Sequence, residues 1–285
     1  MTTRPSPLGQ PIADHDRGLT ADVHTLLERR GLLRMAGGFS LLGLAACSGP
    51  SSDMEEAATP SSSPAPSSTT RSSSDTVDTV VPDETAGPYP GDGSNGPDLL
   101  EGSGIVRSDI RSSFDTATTT AKGVPLTINL TVTDSSDGYA ALSGAAVYLW
   151  QCDREGGYSM YSEGLEQENY LRGVQETDQG GTVSFTSIFP ACYMGRWLHI
   201  HVEVYASLSD ATNDGPIVKT SQIALPEAVC STVYEEKGYE QSVQNMAQVS
   251  LTRDNVFGDD GGVHQLATVT GSVAKGYTAN LTIGV

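Results

Sequence analysis

Basic residues are scarce in this 285-residue chain: 16 Lys and Arg stand against 35 Asp and Glu, a formal net charge of −19. Such a field repels nucleic acid and anionic lipid headgroups, so a nucleic-acid-binding role is excluded and no basic patch is available for membrane attachment. Histidine is scarcer still, five in all, and only His199, His201 and His264 lie beyond residue 46. Long apolar runs are absent. The stretch from Met35 to Ala46 has 12 residues, whereas a helix crossing about 30 Å of hydrocarbon needs about 20. Of the four cysteines, Cys152, Cys192 and Cys230 remain once Cys47 is set aside. Outside the cell an odd count allows one bridge and a free thiol, or no bridge. No internal repeat is present.

What is there begins with an export signal. Glu28-Arg29-Arg30-Gly31-Leu32-Leu33-Arg34 is a twin-arginine pattern, and the apolar stretch after it ends in Leu44-Ala45-Ala46-Cys47, a small-residue cleavage site directly before a cysteine. The expectation is a signal over 1–46, removed on export, with a lipid group on Cys47 anchoring the chain to the outer face of the cell membrane, or release as a secreted protein. The alternative is a buried helix with an incidental cysteine. Residues 47–80 are dominated by Ser, Thr, Pro, Ala and Asp, too poor in large apolar groups to offset ordering entropy, and are expected to form a flexible linker. Residues 81–285 suffice for one domain with a substantial core.

Within that domain the pattern is mostly β. Alternating or apolar runs at Leu126–Val132, Ala145–Trp150, Thr182–Ile188, Trp197–Tyr205, Ile217–Leu225, His264–Val273 and Tyr277–Val285 are separated by Gly, Asp and Asn clusters, with one short helix expected from Glu227 to about Glu236. Many short strands with glycine-rich turns predict an all-β, two-sheet sandwich with long loops. Leu198, Ile200, Val202 and Val204 alternate with His199, His201 and Glu203, which predicts a half-buried strand presenting both imidazoles on one face. Alone, the His pair fits two metal ligands and two ordinary strand histidines equally well. Ferric iron favours anionic oxygen donors such as phenolate, so nearby tyrosines bear on the choice.

The wording around the pair extends the signal. Glu84-Thr85-Ala86-Gly87-Pro88-Tyr89, Arg107-Ser108-Asp109-Ile110, Ala146-Val147-Tyr148-Leu149-Trp150-Gln151-Cys152-Asp153, Gly157-Tyr158-Ser159, Leu171-Arg172-Gly173, Phe185-Thr186-Ser187-Ile188-Phe189-Pro190 and Tyr193-Met194-Gly195-Arg196-Trp197-Leu198-His199-Ile200-His201 follow one another in order. From Glu84 to Leu225 the chain resembles the intradiol ring-cleavage dioxygenases. The resemblance implies a transthyretin-like Greek-key sandwich and a non-haem Fe(III) held by Tyr158, Tyr193, His199 and His201, Tyr193 being the ligand that leaves iron when substrate binds. It further implies Arg196 beside the substrate ring, Gln222 in the active site, and cleavage of a small aromatic diol by O2 to a muconate-type diacid.

Two positions depart from the family: Gln151 stands where many relatives have histidine, and Cys192 stands beside Tyr193 in place of Gly or Trp. The long helical dimerisation segment of cytosolic relatives is missing, leaving an oligomer possible but its interface unspecified. A Cys192–Cys230 disulfide is expected to brace the Tyr193 loop, with Cys152 a buried strand residue. Arg196 could equally be a surface arginine paired with an acid, and Gln222 an ordinary sheet-edge residue. His264 is expected to be structural or exposed, and Glu203 has no counterpart as a ligand. Ring substituents are expected to be read by residues within 85–109 and 162–169. Two rival readings are a cupin, which wants glycine where Tyr193 stands, and a non-catalytic extracellular binding module on the same sandwich.

Overall fold

The computed structural model describes residues 79–285. The expected signal, nearly all of the expected linker and the lipidation residue Cys47 lie outside the described residues.

Two sheets are formed by β1 (Pro125–Asp134), β2 (Ala140–Ala141), β3 (Ala146–Trp150), β4 (Arg172–Glu176), β5 (Thr182–Ile188), β6 (His199–Tyr205), β7 (Ile217–Ala224), β8 (Thr268–Ser272) and β9 (Gly276–Gly284). In the first sheet β1 runs parallel to β9 and antiparallel to β5 and β2, and β8 pairs with β9. The second is antiparallel, in the order β4-β3-β6-β7. In β1, Leu126, Ile128, Leu130 and Val132 are buried while Thr127, Asn129 and Thr131 are less so, the period of two that a one-sided strand requires. These side chains meet Val147, Leu149, Ile200, Val202, Val204 and Ile223 from the second sheet in one core between the sheets. Burying each such side chain contributes about 1.5–3 kcal/mol. The turn into β5 needs glycine: Gly181 has φ +71°, and a Cβ there would lie 2.5 Å from the Val132 carbonyl oxygen.

The outer face of the second sheet has a core of its own, built on Tyr148, Trp150, Val174 and Tyr205 and covered by Tyr158, Leu99, Leu100 and Ile105 from the loops. Consequently every residue of β6 is buried. The half-buried strand expected from alternation is corrected to one buried on both faces, because loops cover the side that carries the histidines.

Three short helices are present among the described residues: α1 (Leu208–Thr212), α2 (Glu227–Val233) and α3 (Glu240–Met246). The expected helix at 227–236 is α2, ending at Val233; α1 and α3 were not anticipated. Five to seven residues are too few for helical periodicity to show. Strand β4 was not among the alternating runs, since Arg172 and Gly173 interrupt its apolar pattern. The run expected from His264 narrows to β8, because Gln265 and Leu266 turn back to the Gly262 carbonyl.

The expected Cys192–Cys230 bridge is a further correction. Cys152, Cys192 and Cys230 are all free and buried. Burial, and then Asp254, pushes the Cys192 thiol up to about 12, and burial raises that of Cys230. Both sit in the apolar core as thiols and are not joined to each other. Cys192 Sγ instead lies 3.5 Å from the Arg196 carbonyl oxygen.

Candidate metal centre

Four side chains from three places in the chain converge on the outer face of β6. His199 and His201 are successive outward residues of that strand, and their Nε2 atoms lie 3.1 Å apart. Tyr158 Oη is 3.2 Å from His201 Nε2, and Tyr193 Oη is 3.1 Å from His199 Nε2. The structure thus brings together the whole ligand set expected from the resemblance. Among the described residues no group of three or more His, Cys, Asp and Glu could hold a metal ion. The two phenols complete the donor set here.

Each donor has its own support. His199 Nδ1 lies 2.5 Å from the Trp197 carbonyl oxygen, which directs Nε2 toward the cluster. His201 stacks on Trp150, its cross-strand neighbour, with centroids 4.8 Å apart and planes at 6°. Its Nδ1 is buried without a partner among the described residues. Tyr158 is held through its N–H, which donates to Ser162 Oγ at 2.9 Å, and its ring lies 5.0 Å from that of Tyr89. The Tyr193 loop is buttressed by α3: Ser242 Oγ accepts from the Cys192 N–H at 3.1 Å, and Asn245 Nδ2 donates to the Cys192 carbonyl at 2.8 Å.

Burial dominates the electrostatics. It lowers His199 to about 3, with Arg196 adding to the effect, and holds His201 well below its usual range, with His199 contributing. Burial likewise raises both phenols above their usual range. Neutral imidazoles keep free lone pairs, and protonated phenols become good donors once a cation offsets the cost of ionising them. Two neutral nitrogens and two ionisable oxygens, converging in a buried pocket, fit a hard, highly charged metal ion better than they fit one another.

Around the donors lies a polar frame. Arg196 donates from Nη2 to Gln222 Oε1 at 2.7 Å and pairs with Asp254 through Nε at 3.0 Å. The alternative of an arginine paired with an acid is therefore realised, but in the interior: its side chain is 8% exposed. Gln222 stands opposite His201 on β7 and donates to the Thr85 carbonyl at 2.9 Å. Residues Thr85–Pro90 cross the site from there. Gly87 has φ +73°, and a Cβ on it would approach His201 Cε1 to 3.2 Å, so glycine lets this backbone pass close over the imidazole.

Several residues fall outside the cluster. Gln151 bridges β3 and β5, donating to the Ile188 carbonyl at 2.9 Å and accepting from Ser187 Oγ at 3.0 Å; its departure from the family pattern is structural. Glu203 faces the same way as the histidines but accepts from the Tyr205 hydroxyl at 2.8 Å and is pushed up to about 8 by burial and then Asp92. His264 is half-buried in a turn. Within 162–169, Ser162 supports Tyr158, whereas Glu168 and Asn169 are engaged with Ser113 and Phe114.

Sequence reasoning missed Asp254, which lies beyond the motifs, and the role of Arg172. The Leu171-Arg172-Gly173 wording was the one signal for the latter. Arg172 is wholly buried and makes five hydrogen bonds: to Ser159 Oγ and carbonyl, the Tyr89 and Pro90 carbonyls, and Tyr148 Oη.

Comparison with known proteins bears on the family signature and the fold. Residues 95–209 match the family model described as Dioxygenase. An intradiol ring-cleavage dioxygenase from Tetranychus urticae shares the fold at a TM-score of 0.56 and 24% identity, over 72% of this chain and 94% of that one. A second dioxygenase structure gives 0.57 and 23%, over 72% and 93%. No curated protein matches. Residues 95–209 thus carry a dioxygenase signature, and the two-sheet sandwich expected from the sequence is the fold that these two structures share.

Proposed function

We propose that Tyr158, Tyr193, His199 and His201 hold a non-haem ferric ion, and that the chain uses O2 to cleave catechol-type diols between their two hydroxylated carbons, giving muconate-type diacids. Both oxygen atoms enter the product, so catechol and O2 balance the diacid without a further reductant. Convergence of two Nε2 and two Oη atoms within 3.1–3.2 Å of their neighbours is the observation that carries this reading. When bound, ferric iron supplies a Lewis-acidic, redox-active centre for the diol and O2.

The chain's own residues divide the remaining work. Tyr158, 2% exposed, is locked in the outer core, whereas Tyr193 is half-buried on a loop that turns at Gly195 with φ +88°. Tyr193 is thus the phenol able to swing away and accept a substrate proton at Oη. Arg196 provides a fixed positive charge beside both phenols, suited to negative charge developing on the ring. Gln222 ties that guanidinium to Thr85, and residues Thr85–Tyr89 shield the site from bulk water.

The test is the visible and electron paramagnetic resonance spectrum of the ferric-loaded protein before and after anaerobic catechol, with oxygen uptake on admitting air. A tyrosinate-to-iron band that shifts with catechol, followed by oxygen consumption and a muconate product, is expected. A protein that takes up no ferric iron would leave the binding-module reading standing instead.

The proposal extends to location: export by the twin-arginine route and attachment through lipid on Cys47, supported by Arg29-Arg30, the short apolar stretch and the residues before Cys47. Among the described residues no helix is long and apolar enough to cross a membrane. Cys47→Ala should move the protein from the membrane fraction to the soluble fraction, and an unchanged distribution would refute the anchor.

A further inference from the structure

Asp254 lies beyond residues 95–209, the stretch matched by the family model, yet it is built into the site. Its side chain is fully buried. The carboxylate accepts from Arg196 Nε at 3.0 Å and Nη2 at 3.2 Å, a two-point grip on one edge of the guanidinium. It also accepts the Trp197 N–H at 2.6 Å and the N–H groups of Val256 and Phe257 at 2.9 and 3.2 Å. The last two bonds close a turn that brings the Phe257 ring to 6.5 Å from that of His199. One carboxylate therefore joins the segment after β7 both to the arginine and to the backbone between Tyr193 and His199.

Geometry makes that grip specific. A two-point contact fixes the guanidinium plane, which a single contact would leave free to rotate. Gln222 Oε1 takes Nη2 at 2.7 Å, so Nε and Nη2 are both engaged by protein and Nη1 has no protein partner among the described residues. The Trp197 bond constrains the chain two residues before His199, where the Trp197 carbonyl also sets the His199 ring.

We propose that Asp254 is a positioning residue for ring cleavage: it holds Arg196 in the orientation that leaves Nη1 for the substrate's developing negative charge, and keeps the Tyr193 loop in register with His199. This rests on the ferric reading above. A carboxylate serving only the fold would, when replaced, lower stability and leave turnover per bound iron unchanged.

The experiment compares Asp254→Asn with the native full chain. It measures kcat and KM for catechol per bound iron and, in the metal-free protein, the proton–nitrogen resonance of Arg196 Nε–H, assigned by its loss in Arg196→Lys. Expected are a fall in kcat of about 10–100-fold, the range for partners that orient reactive groups, a KM within about threefold, and loss of exchange protection at Nε–H. In an Arg196→Lys background, the Asp254 substitution should change kcat by less than about twofold, since the two act as one unit. A native kcat per bound iron, a protected Nε–H or fully additive losses would each overturn the positioning role. Should Asp254→Asn fail to fold, Asp254→Glu keeps the charge and displaces it by one methylene, with the same outcomes. Failure of the ferric reading shows instead in the native protein, as absent iron uptake and absent oxygen consumption, and takes the positioning role with it.

Discussion

Replacing His201 with alanine is expected to abolish ferric binding and oxygen uptake with catechol, while the protein still folds. The Nε2 atom of this residue is within 3.2 Å of both Tyr158 Oη and His199 Nε2, so it stands at the junction of the donor set. Even partners that merely orient ligands are worth about 10–100-fold in metal affinity, and loss of a ligand should exceed that range. Tyr158→Phe removes one oxygen and leaves the ring against Tyr89, and it too should lose iron. Tyr193→Phe is expected to keep iron on three ligands and lose turnover, because its contribution lies in moving and accepting a proton. Iron content and ferric spectra at matched folding, read by circular dichroism, separate these cases. An iron-replete, active His201→Ala enzyme would refute the assignment.

Arg172→Ala should be the most destabilising single change at the site. Five hydrogen bonds to buried or half-buried groups are lost, and the Tyr89, Pro90 and Ser159 carbonyls are left without this donor. Buried polar groups stripped of a charged partner cost roughly 3–5 kcal/mol. For a domain of this size, that corresponds to a Tm lower by about 6–20 °C. Arg172→Lys should recover little of the loss, because an ammonium cannot reproduce a planar fork that reaches five acceptors. Since Ser159 adjoins Tyr158 and the Tyr89 ring lies against it, iron affinity should fall together with Tm. A Tm within about 2 °C of native, the range of an indifferent surface change, would show that the guanidinium is not the clamp described.

The site owes its construction to segments far apart in the chain. Arg172 ties the 89–90 segment and the Tyr158 loop to the sheet, α3 supports the Tyr193 loop, and Asp254 reaches in from beyond β7. Many of these supports are side chains bonding to backbone carbonyls and amides of other elements. Contacts of that kind leave no periodicity in sequence, because any residue type offers the same backbone partner.

Local sequence did determine a good deal. The alternation in β1 and β6 specified strands, since a period of two is a property of neighbouring residues, and the family resemblance carried by the motifs around Tyr158, Tyr193, His199 and His201 implied those four as the candidate ligands. What only the tertiary structure decided was burial and pairing. Alternation predicted a half-exposed β6, but loops that cannot be placed from sequence cover its outer face. Spacing allowed a Cys192–Cys230 bridge, but both thiols are buried and free. Arg196 was ambiguous between a substrate-facing cation and an acid's partner. In the fold it contacts Asp254 on one edge while Nη1 has no partner among the described residues, because a guanidinium has more than one edge to offer and only packing decides what meets each.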